Sequence, residues 1–154
     1  MIKSLLVRHA FLSDLQALAF IEHNVFKAHS YHLISKRQYR YLLTKANAHV
    51  WLAELEDVVC GSCIVLFKKN SRRARLYSFS VLPNFQKNGI GTHLLSCIQD
   101  ELLNQGILQL SLEVRADNAR LIHYYVRHGF KQISCIPCYY PDNESGLKLV
   151  KDLI

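Results

Sequence analysis

The run Gln86-Lys87-Asn88-Gly89-Ile90-Gly91 has the residue types and spacing of an anion holder. Its two glycines lack the Cβ that would keep a ligand away from the backbone, and they permit a tight turn. The run lies between a strand-like segment, Leu76 to Val81, and an amphipathic helix predicted over Thr92 to Asn104. A helix start offers unpaired N–H groups and the positive end of a dipole, which together favour phosphate. Lys87 adds a cation and Gln86 an amide donor. A P-loop needs Gly-Lys-Ser/Thr after four spacers, and no such run exists. A dinucleotide fingerprint needs a third glycine where Leu94 stands. The plain alternative is a tight turn ahead of a helix.

Two other groups of residues invite a chemical reading. Cys60-Gly-Ser-Cys63 and Cys135-Ile-Pro-Cys138 are both C-x-x-C pairs, but a zinc ribbon wants such pairs about 15–20 residues apart. Both pairs fall in strand-like runs, where residues i and i+3 face opposite ways. Reduced, partly buried core cysteines are therefore expected. His29 and His32 have no acidic residue nearby at ligand spacing, so no metal site is expected there or elsewhere.

These residues must be positioned by surrounding elements. Ser4 to Arg8 reads as an opening strand. Ser13 and Asp14 start a helix with Leu15, Leu18, Ala19 and Phe26 inward, and Ser35 caps a second helix reaching about Lys45. Val50 to Glu54 and Val58 to Phe67 pair around a turn at Glu56-Asp57. A third strand runs from about Arg73 to Val81. In the helix after the glycine loop, Leu94, Leu95, Ile98 and Leu102 recur at helical spacing, and Gln105-Gly106 ends it. Leu108, Leu110, Leu112 and Val114 then alternate with Gln109, Ser111, Glu113 and Arg115, predicting a strand with one apolar and one polar face. Asp117 and Asn118 start a helix that Gly129 ends. Lys131 to Cys135 and Gly146 to Val150 are the last strands. Strands and helices mix without strict alternation, which predicts an α+β domain with helices on both faces of a sheet.

Gln-x-x-Gly-x-Gly between a strand and a helix resembles the pyrophosphate loop of the GNAT superfamily, the acetyl-CoA-dependent N-acetyltransferases. Leu112-Glu113-Val114-Arg115-Ala116-Asp117-Asn118, followed by Ala119 to His128 and Gly129-Phe130, resembles the second half of that domain. Tyr139-Tyr140-Pro141-Asp142 and the strand at Leu147 to Val150 also fit. The likeness is greatest to the branch that acetylates alanine N-termini of ribosomal proteins. It is strong from Leu76 to Tyr140 and looser before that.

The resemblance implies a mixed, mostly antiparallel sheet of six or seven strands containing a splayed pair. It implies that Phe79, Ser80 and Val81 offer backbone groups to the pantetheine arm. Gln86, Lys87, Asn88, Gly89, Ile90, Gly91 and Thr92 would hold the diphosphate, and Asn118 would add a coenzyme contact besides capping its helix. By the same likeness Glu113 is the candidate general base through a water, the alternative being a surface carboxylate paired with Arg115 or Lys131. Tyr125 is the candidate acid for the leaving thiolate, with the adjacent Tyr124 open as a substitute. Tyr31, His32 and Tyr139 border the expected amine side.

A chain of 154 residues reads as one domain, 1–154, able to bury its own core. Half its residues are hydrophobic and a fifth charged, as in ordinary globular proteins. The start, Met1 to Arg8, is charged too soon for a secretory signal. No apolar run nears the roughly 20 residues of a membrane span, so a cytoplasmic protein without membrane association is expected, monomeric or homodimeric. A net charge of +7 asks for an anionic partner. Acetyl-CoA meets that need, and the cluster Lys68, Lys69, Arg72, Arg73 and Arg75 lacks the interleaved aromatic residues of a nucleic-acid platform. Neutralising an α-amine at pH 7 costs about 1–1.4 kcal/mol, against roughly 4.6 for a lysine. One glutamate suits the first task, so the expected acceptor is a protein N-terminus. The alternatives are a small amine, such as a polyamine or amino sugar, and a non-catalytic coenzyme-binding module.

Overall fold

The computed structural model describes residues 4–154, so the N-terminal charge pattern through Lys3 lies outside them. In chain order the strands are β1 (Leu5–His9), β2 (Ala48–Leu55), β3 (Val58–Phe67), β4 (Arg73–Val81), β5 (Gln109–Arg115), β6 (Lys131–Ile136) and β7 (Gly146–Asp152). They make one seven-stranded sheet in the order β1-β2-β3-β4-β5-β7-β6. Only β4 and β5 run parallel; every other neighbouring pair is antiparallel. The helices are α1 (Leu15–Val25), α2 (Lys36–Thr44), α3 (Ile90–Asn104) and α4 (Ala119–Arg127). This is the expected α+β architecture, the GNAT fold. Among the described residues no helix is long and apolar enough to cross a membrane.

Each face of the sheet carries its own core. On one, Leu18 and Ile21 of α1 and Tyr39 of α2 pack on Val50, Leu52 and Ile64. On the other, Leu94, Leu95, Ile98 and Leu102 of α3, with Tyr125 of α4, cover Trp51, Ala53, Leu110, Leu112 and Val114. Because both faces are covered, β2 buries four consecutive residues, Val50 to Ala53, instead of alternating. The β2–β3 turn places Glu56 and Asp57 at φ 50° and 67°, the left-handed pair of a tight hairpin.

Three local expectations are corrected. Asp14 stands at the N-cap of α1, after a 3-10 turn over Leu12–Asp14, but neither it nor Ser13 caps the helix through a side-chain oxygen. The Asp14 carboxylate instead accepts from the Phe11 N–H at 2.7 Å and pairs with Arg8 at 2.9 Å. Cys60 and Cys63 do not face opposite ways. The β2–β3 register slips at Ala53/Glu54, leaving Cys60 as an extra residue, so both thiols enter the core beneath α3. The second C-x-x-C is exposed rather than core, because β6 ends at Ile136 and Cys138 sits in a turn at φ 53°.

Candidate active site

The parallel ladder between β4 and β5 runs from Arg73↔Gln109 to Leu76↔Leu112 and stops there. Both strands continue, β4 to Val81 and β5 to Arg115, so the sheet opens along its middle. The cause lies next door, where the β3–β4 register slips between Ile64 and Val65 and leaves Tyr77 unpaired. A bulge of this kind bends and twists its strand. The splayed pair bounds a cavity of about 300 Å³, lined by Leu76 to Phe79 on one side and Leu112 to Arg115 on the other.

The glycine loop follows β4 by way of a short 3-10 turn, Pro83–Phe85, and Gly91 lies beside Phe79 of the cavity wall. The Gln86 side-chain amide donates to the Val81 carbonyl at 2.9 Å, so it braces the loop rather than pointing to solvent. Lys87 and Gly89 adopt left-handed φ values of 65° and 77°, and α3 begins at Ile90, two residues before the predicted Thr92. Among the described residues no backbone N–H from Lys87 to Thr92 donates to a backbone carbonyl; the first to do so is His93, to Gly89 at 3.0 Å. Six consecutive donors and the positive end of a 15-residue helix therefore converge on exposed space. A Cβ on Gly91 would meet the Phe79 ring at 3.6 Å and the Tyr124 hydroxyl at 3.7 Å, ordinary contacts. Internal packing thus does not require glycine there. These features fit a diphosphate.

Ser80 is buried, its hydroxyl shares a hydrogen bond with Ser62 at 3.0 Å, and its main chain pairs with Ser62 of β3. Asn118 accepts from the Leu121 N–H at 3.1 Å and so caps α4.

α4 sends its two tyrosines to different places. The Tyr124 hydroxyl lies 3.2 Å from Thr92 Oγ1, against the first turn of α3. Tyr125 is 4% exposed, lines the cavity, and packs edge-on against Phe79 and Phe130. No described residue hydrogen-bonds its hydroxyl. Burial pushes the Tyr125 phenol far above its usual range, which keeps it protonated.

Glu113 also lines the cavity, and its carboxylate is held by Arg75 through contacts of 3.1 and 2.8 Å. The same guanidinium donates to the Tyr139 hydroxyl at 2.9 Å. The partner is thus Arg75 of the basic cluster, not Arg115 or Lys131. Arg75 stands one residue before the end of the ladder, where β4 is still in register with β5, so it reaches across to Glu113.

Arg115 was placed on a polar strand face, yet it is only 7% exposed. It donates to Asp117 at 3.0 and 2.9 Å, to Asp142 at 3.0 and 2.7 Å, and to the Ser30 carbonyl at 2.8 Å. The rings of Tyr31 and Tyr140 stand 5.5 and 5.0 Å from its guanidinium. One cation therefore ties the α1–α2 loop, the end of β5 and the β6–β7 loop into a single rim. Hydrogen bonds from Arg115 hold the Asp142 carboxyl down at about 2. Tyr31, His32 and Tyr139, all expected near the amine side, line the same cavity.

Glu22 of α1 was not anticipated. It is buried at the cavity wall, accepting from the Ile34 N–H at 2.8 Å and the Tyr39 hydroxyl at 3.0 Å. Burial raises its carboxyl above the ordinary range despite those two donors. Its position on the inward stripe of α1 was legible, but a charged residue there signals nothing until its partners are known.

The sequence model of the acetyltransferase (GNAT) family matches residues 10–130. A [ribosomal protein bS18]-alanine N-acetyltransferase of Salmonella typhimurium is 43% identical over 68 residues, covering 44% of this chain and 46% of that protein. A mycothiol acetyltransferase of Jonesia denitrificans is 29% identical over 126 residues, covering 77% of this chain and 40% of that protein. The chain thus matches about half the length of these curated relatives or less. The crystal structure of the ribosomal-protein-S18-alanine N-acetyltransferase from Escherichia coli superposes with a TM-score of 0.87 at 24% identity, over 97% of this chain and 94% of that one.

Proposed function

The chain belongs to the GNAT acetyltransferase family, and on that premise we propose that it transfers an acetyl group from acetyl-CoA to a protein N-terminal amine. The observation that carries this reading is the cavity between splayed β4 and β5, lined by both Glu113 and Tyr125. Phe79, on its wall, adjoins Gly91 at the α3 start, whose free N–H groups suit a diphosphate. Arg115, Tyr31 and Tyr140 of the aromatic rim form another part of the wall. A thioester and an amine entering from opposite sides would meet between Glu113 and Tyr125.

Direct transfer in a ternary complex balances without a covalent enzyme intermediate. The amine nitrogen attacks the thioester carbonyl, the C–N bond forms and the C–S bond breaks. Glu113 takes the amine proton through a water, and the Tyr125 hydroxyl gives its proton to the departing sulfur. Arg75 fixes Glu113 by two contacts, which orients the carboxylate. An α-amine asks little of a single base, being already near its deprotonation point at neutral pH. Relatives named for bS18 alanine acetylation support the same acceptor class.

Thiol release from acetyl-CoA tests this directly, measured against a panel of N-terminal peptides and a panel of polyamines and amino sugars. Turnover confined to the peptides supports the proposal. Turnover confined to the small amines overturns the acceptor, and saturable coenzyme binding without thiol release from either panel overturns the enzyme.

A further inference from the structure

Away from the cleft, two imidazoles and a carboxylate gather metal-ligating atoms around a common point. We propose that His9, His49 and Glu101 form a binding site for a divalent transition metal, of the zinc, cobalt or nickel class.

One ring nitrogen from each histidine and one oxygen of Glu101 lie within 4.8 Å of one another. His9 comes from β1, His49 from β2 and Glu101 from the far half of α3, so the cluster brings together three elements. His9 Nε2 already sits 2.7 Å from Glu101 Oε1. Trp51 Nε1 donates to the other oxygen, Oε2, at 2.9 Å, and so fixes the carboxylate from behind. Such a supporting hydrogen bond is the arrangement that orients metal-binding carboxylates. His49 is the decisive member. No hydrogen bond reaches it from the described residues, and its Nδ1 is closed off from solvent. A buried nitrogen without a partner is costly and uncommon. A cation held by His49 would give the ring the partner it lacks.

Ligand chemistry selects the metal class. Two imidazoles and one carboxylate suit zinc and its neighbours, whereas calcium and magnesium want oxygen ligands only. Metal–ligand distances of about 2.0–2.2 Å imply donor separations of about 3.4 Å in a tetrahedral site. The widest separation must close by up to about 1.4 Å to reach that. His9 and Glu101 have partly exposed side chains, 47% and 35%, which can make that adjustment and admit the ion from solvent. Three protein ligands leave a fourth position for water. The bound ion would pin α3 to β1 and β2, about 16 Å along the helix from the diphosphate-binding start.

The test uses the untagged full chain, freed of metal by a chelator and then dialysed, titrated calorimetrically with Zn²⁺. The expected result is one equivalent bound. Thermal melting should rise by about 5–10 °C at a hundredfold excess over Kd. His9→Ala and Glu101→Gln, both at partly exposed positions, should lose more than the about 10–100-fold that removal of a supporting group costs. Circular dichroism checks that each variant folds. The thiols could also take zinc, notably Cys97, which lies 3.5 Å from His93 Nε2. A Co²⁺ spectrum separates these cases, since thiolate ligation adds a strong charge-transfer band that nitrogen and oxygen ligands lack. Absence of saturable binding at millimolar Zn²⁺, unchanged affinity in both variants, or a thiolate band would each overturn the site. None of these readouts depends on acetyl transfer.

Discussion

A phenol can return a proton to a thiolate only if it still holds that proton and faces the sulfur. Burial keeps Tyr125 protonated, and its hydroxyl is unclaimed beside the cavity in which we propose that the thioester lies. Tyr124 instead spends its hydroxyl on Thr92. Tyr125→Phe should therefore lower kcat by about 10²–10⁴-fold at unchanged coenzyme affinity. Tyr124→Phe should leave kcat nearly intact and weaken coenzyme binding by about 2–10-fold, the worth of one neutral hydrogen bond. Steady-state kinetics with calorimetric coenzyme titration distinguishes the two, and equal effects would remove the assignment. Glu113→Gln should resemble Tyr125→Phe in the same assays. Tyr125 and Glu113 were marked in the sequence by the resemblance to the GNAT domain, not by spacing or alternation alone. The ties of Arg75 and most of those of Arg115 were not legible, because Glu113 and Tyr139 lie 38 and 64 residues from Arg75, and Asp142 and Ser30 lie 27 and 85 from Arg115, distances that no local pattern records.

Elements add what single residues cannot. The start of α3 is shaped by two left-handed residues and then by Gly91, whose missing Cβ leaves room that the protein itself does not use. Gly91→Ala should stabilise the unliganded protein by up to about 1 kcal/mol, since alanine is the better helix former. It should also weaken coenzyme binding by about tenfold or more, equivalent to about 1.4 kcal/mol. Opposite signs in a thermal melt and a coenzyme titration check this. The rim built on Arg115 gives a pH dependence of definite sign. Asp142 is depressed from 3.8 to about 2 in the folded protein, so its contribution is complete above about 3.8 and is lost as pH falls towards 2. Wild-type protein should exceed Asp142→Asn in denaturant stability at pH 6, and the gap should close near pH 2. The helices and strands of this region were readable from apolar periodicity. The bulges at Cys60 and Tyr77 were not, since one inserted residue leaves the alternation of residue types intact while reversing the faces.

At the level of the whole molecule, two cores share one sheet, and the strands nearest the middle serve both. Leu112 is 2% exposed and forms the last rung between β4 and β5. Leu112→Ala should cost about 2–5 kcal/mol, a large share of the 5–15 kcal/mol typical of a domain. Urea denaturation measures it, and a loss below about 1 kcal/mol would mean the site collapses around the smaller side chain. The sheet order was only partly legible, because strand neighbours are chosen by long-range packing that a linear pattern does not encode. The short parallel ladder has one further result. Four residue pairs, with the Leu108 and Gln109 N–H groups donating to the Arg72 carbonyl just before them, stitch strands β1–β4 to β5–β7 within the sheet, and past Leu76 and Leu112 the described main chain forms an internal seam without further rungs. A guest lying in that seam would act as an eighth, borrowed strand, making the two halves continuous. Amides of Phe79 and Val81 should then exchange with deuterium more slowly when coenzyme is present, while those of distant β6 keep their rate.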